Sequence, residues 1–102
     1  MTRQMIEITF GNALAQAREI EACADSMTQL AKTSLPGVKN ELSAAWQGDS
    51  ANNYMAKVDM TSANIARTAE RLYQIAETLR SVARIFRDSE IRALELAEQR
   101  TY

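Results

Sequence analysis

The sequence predicts an all-α fold, an antiparallel two-helix hairpin. A turn signal lies at Gly48, near the middle of the 102 residues, and apolar residues recur at helical spacing on both sides of it. No glycine or proline follows Gly48, which favours one uninterrupted second helix. Because a single hairpin has only one interhelical seam, we expect apolar surface to be left over for a partner. The chain is predicted to form one domain.

Before the first helix, the chain is predicted to form a short extended arm. Ile6, Ile8 and Phe10 alternate with polar residues, a spacing typical of an extended segment laid against the hairpin. Thr9 or Asn12 then offers a side-chain oxygen for the helix N-cap.

Helix one is predicted over about residues 10–45, with a kink near residue 36. Its apolar stripe comprises Phe10, Ala13/Leu14, Ala17, Ile20, Ala24, Met27 and Leu30/Ala31, and resumes at Val38, Leu42 and Ala45. Pro36 has no N–H to bond the preceding turn, and its ring crowds the carbonyl of that turn. We therefore expect a kink or a local break at this proline.

The turn between the helices is predicted at residues 46–49. Gly48 is suited to the left-handed C′ position that ends a helix, and Asp49 or Ser50 can cap the helix that follows. The turn also holds Trp46, the only tryptophan. Two interpretations are open: Trp46 packs beside a tight turn, or the exposed end of the hairpin is itself a recognition feature.

Helix two is predicted over about residues 50–97. Its stripe, close to a 3.5-residue repeat, comprises Ala51, Tyr54/Met55, Val58, Ser62, Ile65, Ala69, Leu72, Ile75/Ala76, Leu79, Val82/Ala83 and Phe86. A hairpin would cover Ile65, Leu72 and Leu79 only in part, so we assign these three to a dimer seam. The pattern thins beyond Phe86, and residues 100–102 are expected to be disordered.

Composition argues against catalysis and against several classes of ligand. The chain has no histidine, which removes the commonest general base and the commonest metal ligand. We expect a protein that is not an enzyme and binds no cofactor or metal. The single cysteine excludes an intrachain disulfide. A net charge of −1, spread evenly over both halves, disfavours nucleic acid and anionic membranes as partners.

Residues 1–16 contain no continuous apolar segment of the signal-peptide type. The chain is therefore expected to be made in the cytoplasm and, if exported, to leave without a classical signal peptide.

The tripeptide Trp46-Gln47-Gly48, at the midpoint of a chain of about a hundred residues between two amphipathic arms, resembles the WXG100 (ESAT-6-like) family. The resemblance implies a helical hairpin that dimerises as a four-helix bundle and is exported folded by a type VII secretion system. Members serve as secreted effectors or as escorts of larger substrates. The chain is also similar to the small hairpin partners of LXG-type toxins, which implies an adaptor role.

The resemblance further implies an export signal in which an aromatic residue precedes an acidic residue by four positions. Phe86 and Glu90 have this spacing where the family places the signal, with phenylalanine replacing tyrosine. Tyr73 and Glu77 are the second candidate, well inside the helix. In family terms, the Trp46–Gly48 turn of one chain joins the signal of its partner chain, and both are presented to the secretion ATPase.

The sequence thus supports a non-enzymatic secretion substrate or adaptor, secreted as a homodimer or as a heterodimer with a WXG100-like or LXG-type helical partner. Two alternatives belong to other classes. One is a cytosolic helical oligomerisation module that is not secreted, and the other is a membrane-active secreted effector. Detection of the protein in culture supernatant tests the first alternative, and liposome leakage tests the second.

Overall fold

The structure of the protein is a computed structural model that describes residues 1–100. In chain order it contains α1 (Arg3–Gln29), a π-helical segment (Leu30–Ser34), α2 (Leu35–Ala45) and α3 (Asp49–Gln99). No strand is formed in this part of the chain, and the all-α helical hairpin is confirmed. Of the residues expected to be disordered, Arg100 forms a turn, whereas Thr101 and Tyr102 lie outside the described range.

The predicted extended arm at the N-terminus is wrong, because α1 already begins at Arg3. Ile6 is fully buried while Ile8 is 54% exposed, so the two alternating isoleucines lie on different faces of a helix. The side chain of Thr2 provides the N-cap that was expected from Thr9 or Asn12. Its Oγ1 accepts a hydrogen bond from the backbone N–H of Met5 at 3.1 Å.

The α-helical hydrogen-bond pattern changes one turn before Pro36. The N–H of Leu35 donates to the carbonyl of Leu30, five residues earlier, which closes the wider turn of a π-helix. Pro36 then lies in the first turn of α2, where it has no N–H to donate to a carbonyl of the π-helical segment. The chain therefore accommodates the proline by widening the preceding turn while remaining helical.

The described residues pack as two compact units. The terminal unit combines Met1–Ile20 with the described residues from Gln74 onward, and the central unit is Glu21–Tyr73. Within the terminal unit, Arg3 pairs with Glu95 at 3.3 Å and the guanidinium of Arg87 lies 4.2 Å from the ring centroid of Phe10. These contacts show that α1 and α3 run antiparallel there.

The central unit is also held by contacts between antiparallel helices. Lys39 on α2 pairs with Asp59 on α3 at 2.8 Å, and the hydroxyl of Tyr73 on α3 hydrogen-bonds the carboxylate of Asp25 on α1. The ion pair is partly exposed, so it contributes less than about 1 kcal/mol to stability and mainly fixes the register of the helices.

Alanine dominates the buried core of each unit. The buried side chains of the terminal unit are Ile6, Ala17, Ala76 and Ala83, and those of the central unit are Ala24, Ala31, Ala51, Met55 and Ala69. A methyl group allows two helices to approach closely, and repetition at seven-residue spacing keeps the small side chains on the facing side. Apart from Ile6 and Met55, the larger apolar side chains are half-buried or exposed.

Candidate recognition sites

We call the turn between α2 and α3 the tip (residues 46–48). The helical backbone of α2 ends abruptly there. The N–H of Trp46 still donates to the carbonyl of Leu42 at 2.8 Å, but the backbone of Trp46 is extended, with φ −134° and ψ 121°. The indole therefore projects from the end of α2 and is 41% exposed. Part of the indole surface is therefore accessible to a partner.

Gly48 has the positive φ that the sequence suggested, at 112°. Its role differs from the prediction, because its carbonyl accepts the bond from the N–H of Asn52 at 3.0 Å and thereby opens α3. Gly48 thus occupies the N-cap position that was expected for Asp49 or Ser50. Asp49 is the first residue of α3, where its carboxylate interacts favourably with the positive end of the helix dipole.

A second aromatic residue accompanies Trp46. The ring of Tyr54, on the second turn of α3, lies 5.7 Å from the indole by centroids, at a tilt of 48°. Tyr54 is 47% exposed. The sequence pattern placed Tyr54 among the apolar residues of helix two, as an alternative to Met55. In the structure Met55 is the buried residue of the two. Only the folding of α2 against α3 reveals this aromatic pair.

Phe86, the favoured aromatic of the export signal, lines an open groove between α1 and α3 in the terminal unit. The groove measures about 250 Å³ and is lined by Thr9, Phe10, Ala13, Leu79, Val82, Ala83 and Phe86. No charged side chain lines it. Glu90, the acidic half of the signal, lies one helical turn beyond Phe86 and is half-buried.

The second candidate signal is tied into the hairpin. The hydrogen bond to Asp25 raises the pKa of Tyr73, and the side chain of Thr28 opposes this effect. The hydroxyl of Tyr73 is therefore engaged by the chain's own side chains. Glu77 is exposed and lies 3.6 Å from Arg80, as an ordinary ion pair on a helix surface.

The three residues assigned to a dimer seam are each half-buried in the single chain: Ile65, Leu72 and Leu79. Leu79 belongs to an exposed stripe on α3 that we call the apolar stripe, formed by Ile75, Leu79, Val82 and Phe86. Ile75 is 53% and Val82 is 56% exposed. The stripe follows steps of four, three and four residues, so its members share one face of the helix.

The candidate signal residues are divided between the two units. Trp46 and Gly48 belong to the central unit, whereas Phe86 and Glu90 belong to the terminal unit. Within residues 1–100 no group of three or more acidic or cysteine side chains is arranged to hold a metal ion. The described helices include none with the length and hydropathy of a membrane span.

Comparison with known proteins identifies one family. The family described as "Proteins of 100 residues with WXG" matches residues 5–91, which include the tip and both candidate export signals. No curated protein and no solved structure matches the chain significantly. The matched family consists of small, non-enzymatic helical proteins that are associated with type VII secretion and generally form dimers with similar partners. The chain belongs to the WXG100 family.

Proposed function

We propose that the chain is a type VII secretion substrate or adaptor that acts by pairing with another helical protein. The partner is a second copy of the chain or the helical part of a larger substrate, such as an LXG-type toxin. Family membership supports the secretion route. The helical hairpin supports pairing, because a second hairpin can pack against it to complete a four-helix bundle.

The observation that carries this proposal is the apolar stripe beside the uncharged groove. A soluble monomer rarely leaves a continuous apolar stripe uncovered, and large patches of this kind mark interaction sites. A partner helix that covers the stripe would bury the half-exposed Leu79 and Phe86 and fill the groove.

We further propose that pairing assembles the export signal. The tip of one chain, with Trp46 and Gly48, would join Phe86 and Glu90 of its partner, and the secretion ATPase would read both together. The exposure of both aromatic side chains supports this proposal, because Trp46 is exposed at the tip and Phe86 is 36% exposed on α3. Neither ring belongs to the alanine core that holds each unit together.

The experiment compares export with folding. Wild type, Trp46→Ala and Glu90→Ala are produced in the native host, and the protein in supernatant and cells is measured alongside thermal unfolding and light scattering of each purified variant. We expect both variants to fold and pair as wild type does and to remain in the cell. Glu98→Ala, an exposed acidic position of the same helix, is the matched control and should be exported.

Three results would contradict the proposal. Normal export of both variants would show that Trp46 and Glu90 are not part of an export signal. Export loss that parallels unfolding would show that both residues act only on folding. A wild type that pairs but never reaches the supernatant would leave the cytosolic oligomerisation module as the function.

A further inference from the structure

The aromatic pair at the tip is held together and still accessible. Trp46 and Tyr54 lie 5.7 Å apart by ring centroids, within the range of favourable aromatic contacts. Both are nevertheless large exposed side chains, at 41% and 47%. Each ring therefore limits the movement of the other and presents its remaining surface to solvent.

The charge around this pair is net negative. From Asn40 to Ala56 the only charged residues are Glu41 and Asp49, both acidic and both exposed. The helix dipoles oppose each other here, because α2 ends at Ala45 and α3 begins at Asp49. The two carboxylates consequently set the sign of the local potential.

The nearest basic residues do not reverse that sign. Lys39 is paired with Asp59, with its ammonium 2.8 Å from a carboxylate oxygen. Lys57 lies three residues after Tyr54 on α3 and offsets only one of the two carboxylates, Glu41 and Asp49. The faces of the two rings add negative potential of their own, since the π-system of tryptophan and tyrosine attracts cations.

We propose that Trp46 and Tyr54 form a docking surface for a protein that offers a positively charged side chain between apolar ones. The cation would lie against the rings, with Asp49 and Glu41 supplying complementary charge. Tyr54 has a second, positioning role, because it holds the indole in the orientation that the partner contacts. The inference rests on the proposed function, because this surface is the tip half of the export signal.

Tryptophan fluorescence isolates the positioning role. Trp46 is the only tryptophan, so its emission and its quenching by acrylamide report on the tip alone. Tyr54→Ala should increase quenching and shift the emission to longer wavelength without changing helicity, whereas Tyr54→Phe keeps the ring and should behave as wild type. Met60→Ala, at an exposed position of the same helix, is the control that should leave the spectrum unchanged.

Export tests the chemistry of the partner. Tyr54→Ala should lower supernatant levels as Trp46→Ala does, while Tyr54→Phe is exported normally. Asp49→Asn and Glu41→Gln should each lower export by about two- to fivefold, which corresponds to an exposed contact between charges or between a cation and a ring. Glu98→Gln, outside the tip, should have no effect. Thermal unfolding is measured for every variant, because Asp49 also begins α3.

Each outcome decides a separate claim. Unchanged fluorescence and normal export of Tyr54→Ala would overturn the role of Tyr54. Loss of export in the ring variants with no effect of Asp49→Asn and Glu41→Gln would overturn the cationic partner. Absence of the wild-type chain from the supernatant would instead refute the proposed function, and the docking surface with it.

Discussion

The hydroxyl of Tyr73 on α3 donates a hydrogen bond to the carboxylate of Asp25 on α1. This bond joins α1 to α3 within the central unit and uses the polar group that a tyrosine-based export signal would offer to a receptor. Phe86, in contrast, has no hydroxyl and lines an open groove. For this reason we propose Phe86 and Glu90, rather than Tyr73 and Glu77, as the signal.

The bond between Tyr73 and Asp25 predicts a stability loss at alkaline pH. It raises the pKa of Tyr73 above its ordinary value of 10.0, so the folded chain holds the phenol proton more tightly than the unfolded chain. The resulting stabilisation is complete below pH 10.0 and is lost as the pH rises through the folded-state pKa. Urea unfolding at several pH values should show the advantage of wild type over Tyr73→Phe falling above that pH.

The control for this prediction is the same substitution in an Asp25→Asn background. There the difference between tyrosine and phenylalanine should no longer fall at alkaline pH, because the carboxylate is absent. A wild-type advantage that stays constant across the whole range would contradict the assigned bond.

The alanine core predicts opposite tolerance at two adjacent positions of α3. Ala76 is fully buried, whereas Ile75 is 53% exposed. Ala76→Leu should lower the free energy of unfolding by about 1–3 kcal/mol, because extra methylenes in a close-packed seam force the helices apart. Ile75→Leu is the matched control, with an expected change below about 0.5 kcal/mol. Equal effects at both positions would show that the seam is misassigned.

Substitution of the three glycines by alanine should change stability in opposite directions. Gly48 has φ 112°, so Gly48→Ala should cost about 1 kcal/mol through backbone strain, although a Cβ there would meet no neighbour within 4 Å. Gly11 and Gly37 lie in helices with the same open surroundings. Alanine at either position should stabilise the chain by about 0.5–1 kcal/mol, since glycine weakens helix interiors. Denaturant unfolding of the three variants tests this, and destabilisation by all three would refute it.

The proposed pairing face predicts a charge effect that depends on position. Val82 lines the groove, whereas Ile85, three residues later, does not line it and is 66% exposed. Val82→Arg should weaken pairing by about tenfold or more, because an uncompensated charge would be buried under the partner. Ile85→Arg should pair almost as wild type does. Light scattering over a dilution series gives both values, and the reverse order would place the interface on another face.

The turn at Gly48 and the helical nature of both arms were predictable, because periodicity and turn chemistry act over a few residues. Which of two adjacent apolar residues faces the seam between the helices could not be predicted. Steps of three and four allow either Ile75 or Ala76 to face the seam, and close helix approach selects the smaller side chain. The contact of Trp46 with Tyr54 could not be predicted from the sequence either, because it depends on how α3 folds back against α2.

The N-terminal error has a similar cause. Ile6 and Phe10 are four residues apart, so the residues whose alternation suggested an extended arm also lie on one helix face. Thr2 was the deciding residue, since its cap allows the helix to begin before Ile6.

The claim that the export signal joins two chains is tested most directly by complementation. Trp46→Ala and Glu90→Ala chains with different tags are produced together, and supernatant levels of both tags are measured. A dimer of one Trp46→Ala chain and one Glu90→Ala chain has one intact signal. It joins the tip of the Glu90→Ala chain to Phe86 and Glu90 of the Trp46→Ala chain. We predict that both tags are exported together, although each variant alone stays in the cell. If each variant is exported when paired with wild type but the two together remain inside, the signal does not join two chains and the account is wrong.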